Sequence, residues 1–274
     1  MVSKEQRRKQ LARQRYERRL RRQAAARRRA RVRNVVIAAV LVVGLGTGGA
    51  LAAAGAFSGD GDAEPKAQPS PSTPADPCEE PAPGEPNGKQ WDQEPKMSVD
   101  ASASYTMTLE TTCGDITIAM DAEKAPHTVN SFAFLAGEGY FDHTRCHRLT
   151  DQGIFVLQCG DPQGNGQGGP GYTIPDENLD DPKVADGTYP AGTVAMANTY
   201  RAQTDEGRDS GGSQFFLVYE DSPLPPDYTP FGQITGGMDV LRKIADAGTE
   251  TDQQLQVTTP VATVVIDKAT VREG

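Results

Sequence analysis

Histidine is scarce in this chain: of 274 residues only His127, His143 and His147 carry an imidazole. That shortage removes most nucleophilic and metal-assisted chemistry at the outset. Acyl transfer needs a serine or cysteine beside a base, and a third group that orients the base. Ser213, set in Gly211-Gly212-Ser213-Gln214-Phe215, does not fit the G-x-S-x-G elbow. His143 and His147 have an H-x₃-H spacing with Cys146 between them. In a strand-and-turn context the two do not share a helical face, and an oxidised Cys146 is no zinc ligand. No metal is expected, and no cofactor either. Residues 164–169 read formally as G-x-G-x-x-G, but Pro170-Gly171-Tyr172 follows where a dinucleotide site needs a helix N-terminus.

Charge is missing altogether from residues 35–57, and this gap divides two opposite fields. Residues 1–33 hold fifteen Lys and Arg against Glu5 and Glu17, a net of +13, whereas the rest of the chain holds thirteen basic and thirty-five acidic residues, a net of −22. As a helix with ~1.5 Å rise per residue, the uncharged stretch spans roughly 34 Å, enough for a hydrocarbon core of about 30 Å. Residues 34–57 are therefore read as a transmembrane signal anchor. A cleaved signal peptide is the alternative, since Ala50-Leu51-Ala52 offers an A-x-A site. Against it stand the long basic region and an apolar run beyond the usual 7–15 residues. Basic flanks stay cytoplasmic, which puts residues 1–33 inside the cell and residues 58–274 outside a single-pass membrane crossing. Tyr16 is the tail's only aromatic, so the arginines are read as topogenic and lipid-contacting, with no specific nucleic acid as partner.

Apolar residues are sparse over residues 58–99, where nine prolines fall in forty-two positions among Asp, Glu, Ser and Gly. Such a composition buries too little surface to offset its ordering entropy, so a disordered tether is expected. From Asp100 the pattern changes. Tyr105–Thr111 and residues 116–120 alternate as strands around a Cys113-Gly114-Asp115 turn. Pro126 starts a helix that ends near Gly137. Further strands are expected over residues 193–197, 214–219, 229–233 and 261–268, with a second helix over 238–247. Pro223, Pro225 and Pro226 enforce a loop between two of them. Many short strands with two helices point to an antiparallel barrel or sandwich over residues 100–274.

The most informative stretch is residues 146–161, two apolar-rich arms around Thr150-Asp151-Gln152-Gly153. It reads as a β-hairpin on which Arg148 and Phe155 emerge on one surface. Gln158 has the wrong parity to join Phe155 on a regular strand, and a β-bulge between them would re-aim it. A fixed cation, an aromatic ring and a carboxamide suit a polarised, partly apolar ligand. Four cysteines, Cys78, Cys113, Cys146 and Cys159, allow three pairings in an oxidising compartment. Cys146 and Cys159 flank this hairpin and are candidates to pair across it, leaving Cys113 for Cys78; sequence does not fix the connectivity.

Cys146-His147-Arg148 and Phe155-Val156-Leu157-Gln158-Cys159-Gly160-Asp161, followed by Met196-Ala197-Asn198, Gly212-Ser213-Gln214-Phe215-Phe216 and Phe231-Gly232, together resemble the cyclophilin family of peptidyl-prolyl isomerases. The resemblance runs from about Tyr105 to Val271, and the whole chain looks like the membrane-tethered form of actinobacteria. It implies a mainly β fold, a closed eight-stranded antiparallel barrel capped by two α-helices, with the active groove on one outer face. It implies catalytic roles for Arg148, His147, Phe155 and Gln158. Phe155, Val156, Phe216 and Leu224 should form a proline pocket, and Ala197, Asn198 and Gln214 should line the peptide groove. Tyr228 stands at the rim where a histidine is usual, Val156 where a methionine is usual, and Pro223 where a tryptophan is frequent. These departures imply weakened binding of the cyclic peptide cyclosporin. The expected partners are proline-containing polypeptides outside the cell. A non-catalytic module that holds proline-containing segments is the alternative from another class.

Overall fold

The computed structural model describes residues 76–253 and 257–274. The basic tail, the expected anchor and residues 58–75 lie outside the described residues. Among the described residues no helix is long and apolar enough to cross a membrane.

Among the described residues eleven strands and two helices follow in order: β1 (Tyr105–Thr111), β2 (Gly114–Met120), α1 (Pro126–Gly137), β3 (Thr144–Arg145), β4 (Arg148–Gln152), β5 (Ile154–Cys159), β6 (Thr193–Met196), β7 (Phe215–Val218), β8 (Pro230–Gly236), α2 (Met238–Asp246), β9 (Thr249–Asp252), β10 (Val257–Pro260) and β11 (Val265–Glu273). Nine of the strands make one antiparallel sheet in the order β3-β11-β1-β2-β8-β6-β7-β5-β4. Laid flat, nine strands at ~4.8 Å spacing would be close to 40 Å wide. Yet the two edge strands, β3 and β4, are consecutive and separated only by Cys146 and His147. Three residue steps reach at most about 11 Å. The sheet therefore curls until its edges nearly meet.

The inside of the curl is filled by aromatic rings. Phe132 of α1 is fully buried, with ring centroids of Phe231, Phe141 and Phe215 at 4.6, 5.3 and 5.5 Å. Every residue of β6 and β7 is buried, because both faces of these strands are covered. Val194, Met196, Phe215 and Leu217 face the main core. Their alternates Ala195, Phe216 and Val218 join Val156, Val184 and Tyr189 in a second apolar cluster on the outer face. That outer cluster is the feature that positions the site.

The N-terminus of α1 has no side-chain cap of its own, and Pro126 fills the first turn. Its exposed N–H groups are met from a distance. The Glu177 carboxylate accepts from His127 N at 3.0 Å, Thr128 N at 2.9 Å and Thr128 Oγ1 at 2.7 Å. An anion at a helix N-terminus satisfies orphan donors and complements the dipole.

Three features differ from the sequence-based expectation. Residues 76–99, within the stretch expected to be a disordered tether, lie along the domain. They are held by the Cys78–Cys113 disulfide, by Asn87 donating to Gly139 O at 2.7 Å and by the Trp91 ring against Phe134 at 5.1 Å. A half-buried tryptophan packed against the core and a disulfide supply what the proline-rich composition lacks. Secondly, the last strand covers Val265–Glu273 rather than residues 261–268. Thirdly, β9 and β10 form a separate hairpin that lacks apolar alternation and so leaves little trace in sequence. It lies along the free edge of β4, where Thr258 Oγ1 donates to Leu149 O at 2.5 Å, covering an edge that would otherwise be open to pairing.

Candidate active site

The β4–β5 ladder is regular: Arg148 pairs with Gln158, Thr150 with Val156 and Asp151 with Phe155. The bulge expected between Phe155 and Gln158 is absent. Parity therefore puts Arg148, Thr150, Val156 and Gln158 on one face and Phe155 on the other. Phe155 accordingly does not share a surface with Arg148. Its N–H donates to Ser222 Oγ at 2.9 Å and its ring meets Tyr219 at 5.9 Å. Val156, in contrast, is buried in the outer cluster beside Phe216.

The ladder continues across the sheet, since Gln158 pairs with Phe216 and Phe216 with Ala195. One transverse row thus carries cation, carboxamide, aromatic ring and small residue on four adjacent strands. Hydrogen bonds knit it together. Arg148 Nη1 donates to Gln158 Oε1 at 3.2 Å, Gln158 Nε2 to Gln214 Oε1 at 2.9 Å, and Gln214 Nε2 to Gly168 O at 2.9 Å. These contacts orient both carboxamides and hold the guanidinium half-buried over the sheet. Burial lowers the Arg148 pKa below the ordinary guanidinium value, opposed by the nearby Tyr228 phenol. A guanidinium still stays charged at neutral pH.

Phe216 is only 5 % exposed. Tyr228 stands edge-on to it at 5.5 Å, and Tyr189 is tilted against it at 6.1 Å. Leu224 and Ala197 pack on the same cluster, so an apolar patch edged by aromatic rings adjoins the cation. The rim is itself held. Tyr189 Oη donates to Tyr228 O at 2.6 Å, Asn198 Nδ2 to Asp227 O at 2.7 Å, and Arg208 Nη2 to Asp227 Oδ1 at 2.6 Å. Arg208 also lies over the Tyr200 ring at 3.4 Å. The loop of residues 199–210 is in this way tied to the segment that presents Tyr228. Burial raises the phenol pKa of Tyr228, and Asp227 adds to it while Arg148 opposes. Tyr189 was not identified in the sequence, because an aromatic in a loop before Pro190 carries no periodic signal.

Beside Gln158 and Gln214 the face opens into a groove of about 630 Å³. Its floor and walls include Ala197, Asn198, Gln214 and the glycine-rich residues 166–169. Asp161 shapes that glycine loop from beneath. Fully buried, its carboxylate accepts from Gln163 N at 2.8 Å, Asn165 N at 3.0 Å and Gly166 N at 2.6 Å. A Cβ on Gly168 would collide with the Asp161 carboxylate, so glycine is required there.

His147 lies behind the groove rather than in it. It is 3 % exposed, and neither ring nitrogen has a hydrogen-bond partner among the described residues. A Cβ on Gly166 would stand 3.6 Å from its Nε2. Burial lowers the His147 pKa below 6.5; Asp161 opposes the shift, and Arg148 and Arg145 reinforce it. The folded protein therefore binds fewer protons than the unfolded chain just below pH 6.5, and stability is lost as pH falls from neutrality through that value. Thermal melts between pH 7.5 and 5 should show this decline, and His147→Gln should flatten it. An unchanged slope would mean that His147 is not the responsible group.

A fixed cation, two oriented carboxamides and an apolar patch edged by aromatic rings on an antiparallel sheet define a class of surface suited to a polar backbone and an apolar ring together, with no nucleophile among these residues. The family model for the cyclophilin type peptidyl-prolyl cis-trans isomerases matches residues 106–271, and the chain belongs to that family. Among its relatives, the probable peptidyl-prolyl cis-trans isomerase B of Mycobacterium leprae is 46 % identical over 155 residues, covering 53 % of this chain and 50 % of the relative. The chain thus matches about half the length of this relative. The isomerase cypE of Dictyostelium discoideum is 37 % identical over 169 residues, covering 60 % of this chain and 96 % of the relative. Of solved structures, a Cryptosporidium parvum cyclophilin type isomerase superposes with a TM-score of 0.51 at 23 % identity, covering 62 % of this chain and 99 % of that one, a likeness of fold.

Proposed function

We propose that this protein catalyses cis–trans isomerisation of X–Pro bonds in polypeptides on the outer side of the membrane that holds it. The observation that carries the reading is the transverse row Arg148–Gln158–Phe216, which sets a permanent cation beside an apolar, aromatic-edged patch suited to a prolyl ring. Rotation about a peptide C–N bond costs ~18–20 kcal/mol because of amide resonance. No bond is broken and no proton need be lost, so catalysis requires only that the twisted state be held better than the planar one. Phe216, Val156 and Leu224 hold the ring, while Gln158, Gln214 and Asn198 hold the flanking backbone. Arg148 has five N–H donors, one of them directed at Gln158. Another donates to the prolyl nitrogen once twisting has given it a lone pair, an interaction the planar amide does not offer. His147 acts from behind, as a neutral buried support of the strand that carries Arg148, and Phe155 as a support of the loop at Ser222.

The same reading takes β3 and β4 as one strand that changes partner at Cys146-His147, which closes the sheet into an eight-stranded barrel. An outer location is supported by the charge asymmetry about residues 34–57 and by two disulfides, Cys78–Cys113 and Cys146–Cys159. Val156 and Tyr228 leave a smaller and differently edged pocket than the usual methionine and histidine, and tight cyclosporin binding is not expected.

Uncatalysed X–Pro exchange takes tens to hundreds of seconds. NMR exchange on a short Ala-Pro peptide should report acceleration at micromolar protein. Saturable binding of that peptide with no acceleration would instead establish a non-catalytic proline-binding module.

A further inference from the structure

The family match begins at residue 106, yet a segment before it reaches the groove. Residues 76–99 form a strap without helix or strand, and Gln90 from this strap lines the same cavity as Gln158, Gln214 and Asn198. The strap is not loosely draped there. Trp91 N donates to Pro170 O at 2.8 Å, and the Trp91 ring packs against Phe134 and Tyr140 at 5.1 and 5.9 Å. Gly171 has φ +91°, and a Cβ on it would stand 2.6 Å from Trp91 O and 3.3 Å from Gln90 Cβ. The glycine loop and the strap are therefore in backbone contact at the rim. On either side of that contact the strap is anchored, by Lys89 to Glu138 at 2.9 Å and by Ser98 N to Asn130 Oδ1 at 2.9 Å. Further back the Cys78–Cys113 disulfide ties it to the turn between β1 and β2.

We infer that the strap completes the polypeptide-binding groove, and that Gln90 is a specificity-determining residue for substrate segments lying several residues from the proline. Among the described residues no charged side chain lines the cavity. Its walls offer carboxamides, hydroxyls and the backbone of the glycine loop, so the ligand class is an extended chain with uncharged polar side chains. At ~3.3 Å per residue an extended segment needs about three residues beyond the prolyl pocket to run some 10 Å along the face. An octapeptide with a central proline extends farther along the face toward the strap than a tetrapeptide does.

The inference rests on the proposed isomerase reading for its catalytic arm but not for its binding arm. Trp91 is the only tryptophan in the chain, so its fluorescence reports directly on the strap. With the full-length chain in detergent, an Ser/Gln/Ala octapeptide with a central proline should shift Trp91 emission saturably, while an Ala-Pro tetrapeptide should not. Gln90→Ala, at an exposed position, should weaken octapeptide binding and lower its kcat/KM by about fivefold, the weight of one hydrogen bond. Tetrapeptide kinetics should be unchanged. If the octapeptide moves Trp91 emission and Gln90→Ala weakens its binding while neither peptide is isomerised, the isomerase reading fails and the strap assignment stands. If both peptides are isomerised but Trp91 emission is indifferent to the octapeptide and Gln90→Ala treats the two alike, the strap assignment is overturned.

Discussion

Replacing Arg148 by alanine should lower kcat/KM for a short X–Pro peptide by about 10²–10³-fold, the cost of removing one preorganised donor from a site where charge or a lone pair develops. The loss should appear in kcat, because the donor meets its partner only in the twisted state. KM should change little, since the ring is held by Phe216 and Val156 and the backbone by Gln214 and Asn198. The fold should survive. Arg148 is half-buried and takes part in one side-chain hydrogen bond, to Gln158, so alanine leaves Gln158 with its second partner, Gln214. Arg148→Lys tests the geometry separately. A lysine retains the charge but not the planar fork that can bond Gln158 and the substrate together, and it should recover only part of the loss. Far-UV circular dichroism and a thermal melt on the same samples separate a missing donor from a damaged sheet. Nearly full activity in Arg148→Ala would end the proposed mechanism.

The strands of the sheet were legible where one face is polar. β1 and β2 alternate and lie within a residue or two of where the pattern puts them, and Pro126 marks the start of α1. The site was legible as a set of residue types on the hairpin, but its facing was not. Parity decides whether Phe155 or Val156 shares the surface of Arg148. It depends on where the hairpin turns and whether a bulge interrupts it, and the ladder pairs regularly as far as Gln152 and Ile154 with no bulge. The strap was hidden for a different reason. Proline-rich, acidic composition describes how little a segment can bury by itself, and says nothing about what a disulfide and one docked tryptophan can hold against a preformed surface. Trp91, a lone large aromatic among prolines, was the residue that pointed the other way. Tyr189 and the β9–β10 hairpin had no comparable signal, since their positions follow from contacts made by loops far apart in sequence.

The Cys146→Ala/Cys159→Ala variant should lose both stability and activity, whereas Cys78→Ala/Cys113→Ala should lose stability alone on short peptides. The two disulfides close loops with sequence separations of 13 and 35 residues. Chain entropy alone then gives ~3 kcal/mol for the first and roughly 4 kcal/mol for the second, so stability by itself would rank the second as more important. Position reverses the order for activity. The ladder to β11 ends at Arg145 and the ladder to β5 begins at Arg148, and in between the chain changes partner with Cys146 N donating to Val264 O at 2.9 Å. The Cys146–Cys159 bridge crosses that junction. Its ends lie two residues before Arg148 and immediately after Gln158, the pair whose register sets the guanidinium over the pocket. Without the bridge the Arg148–Gln158 pair should sample displaced positions, and misplacement of about 1 Å is enough for large rate losses in an oriented site. A drop of about tenfold in kcat is expected for the first variant at a temperature where melting shows it folded, against no change for the second. Both sulfurs of the first bridge are buried, Cys146 at 1 % and Cys159 at 0 % exposure, so mild reductant should act slowly and the genetic variants are the cleaner comparison. Equal activity in the two variants would show that the sheet alone holds Arg148 in place and that this bridge is only a staple.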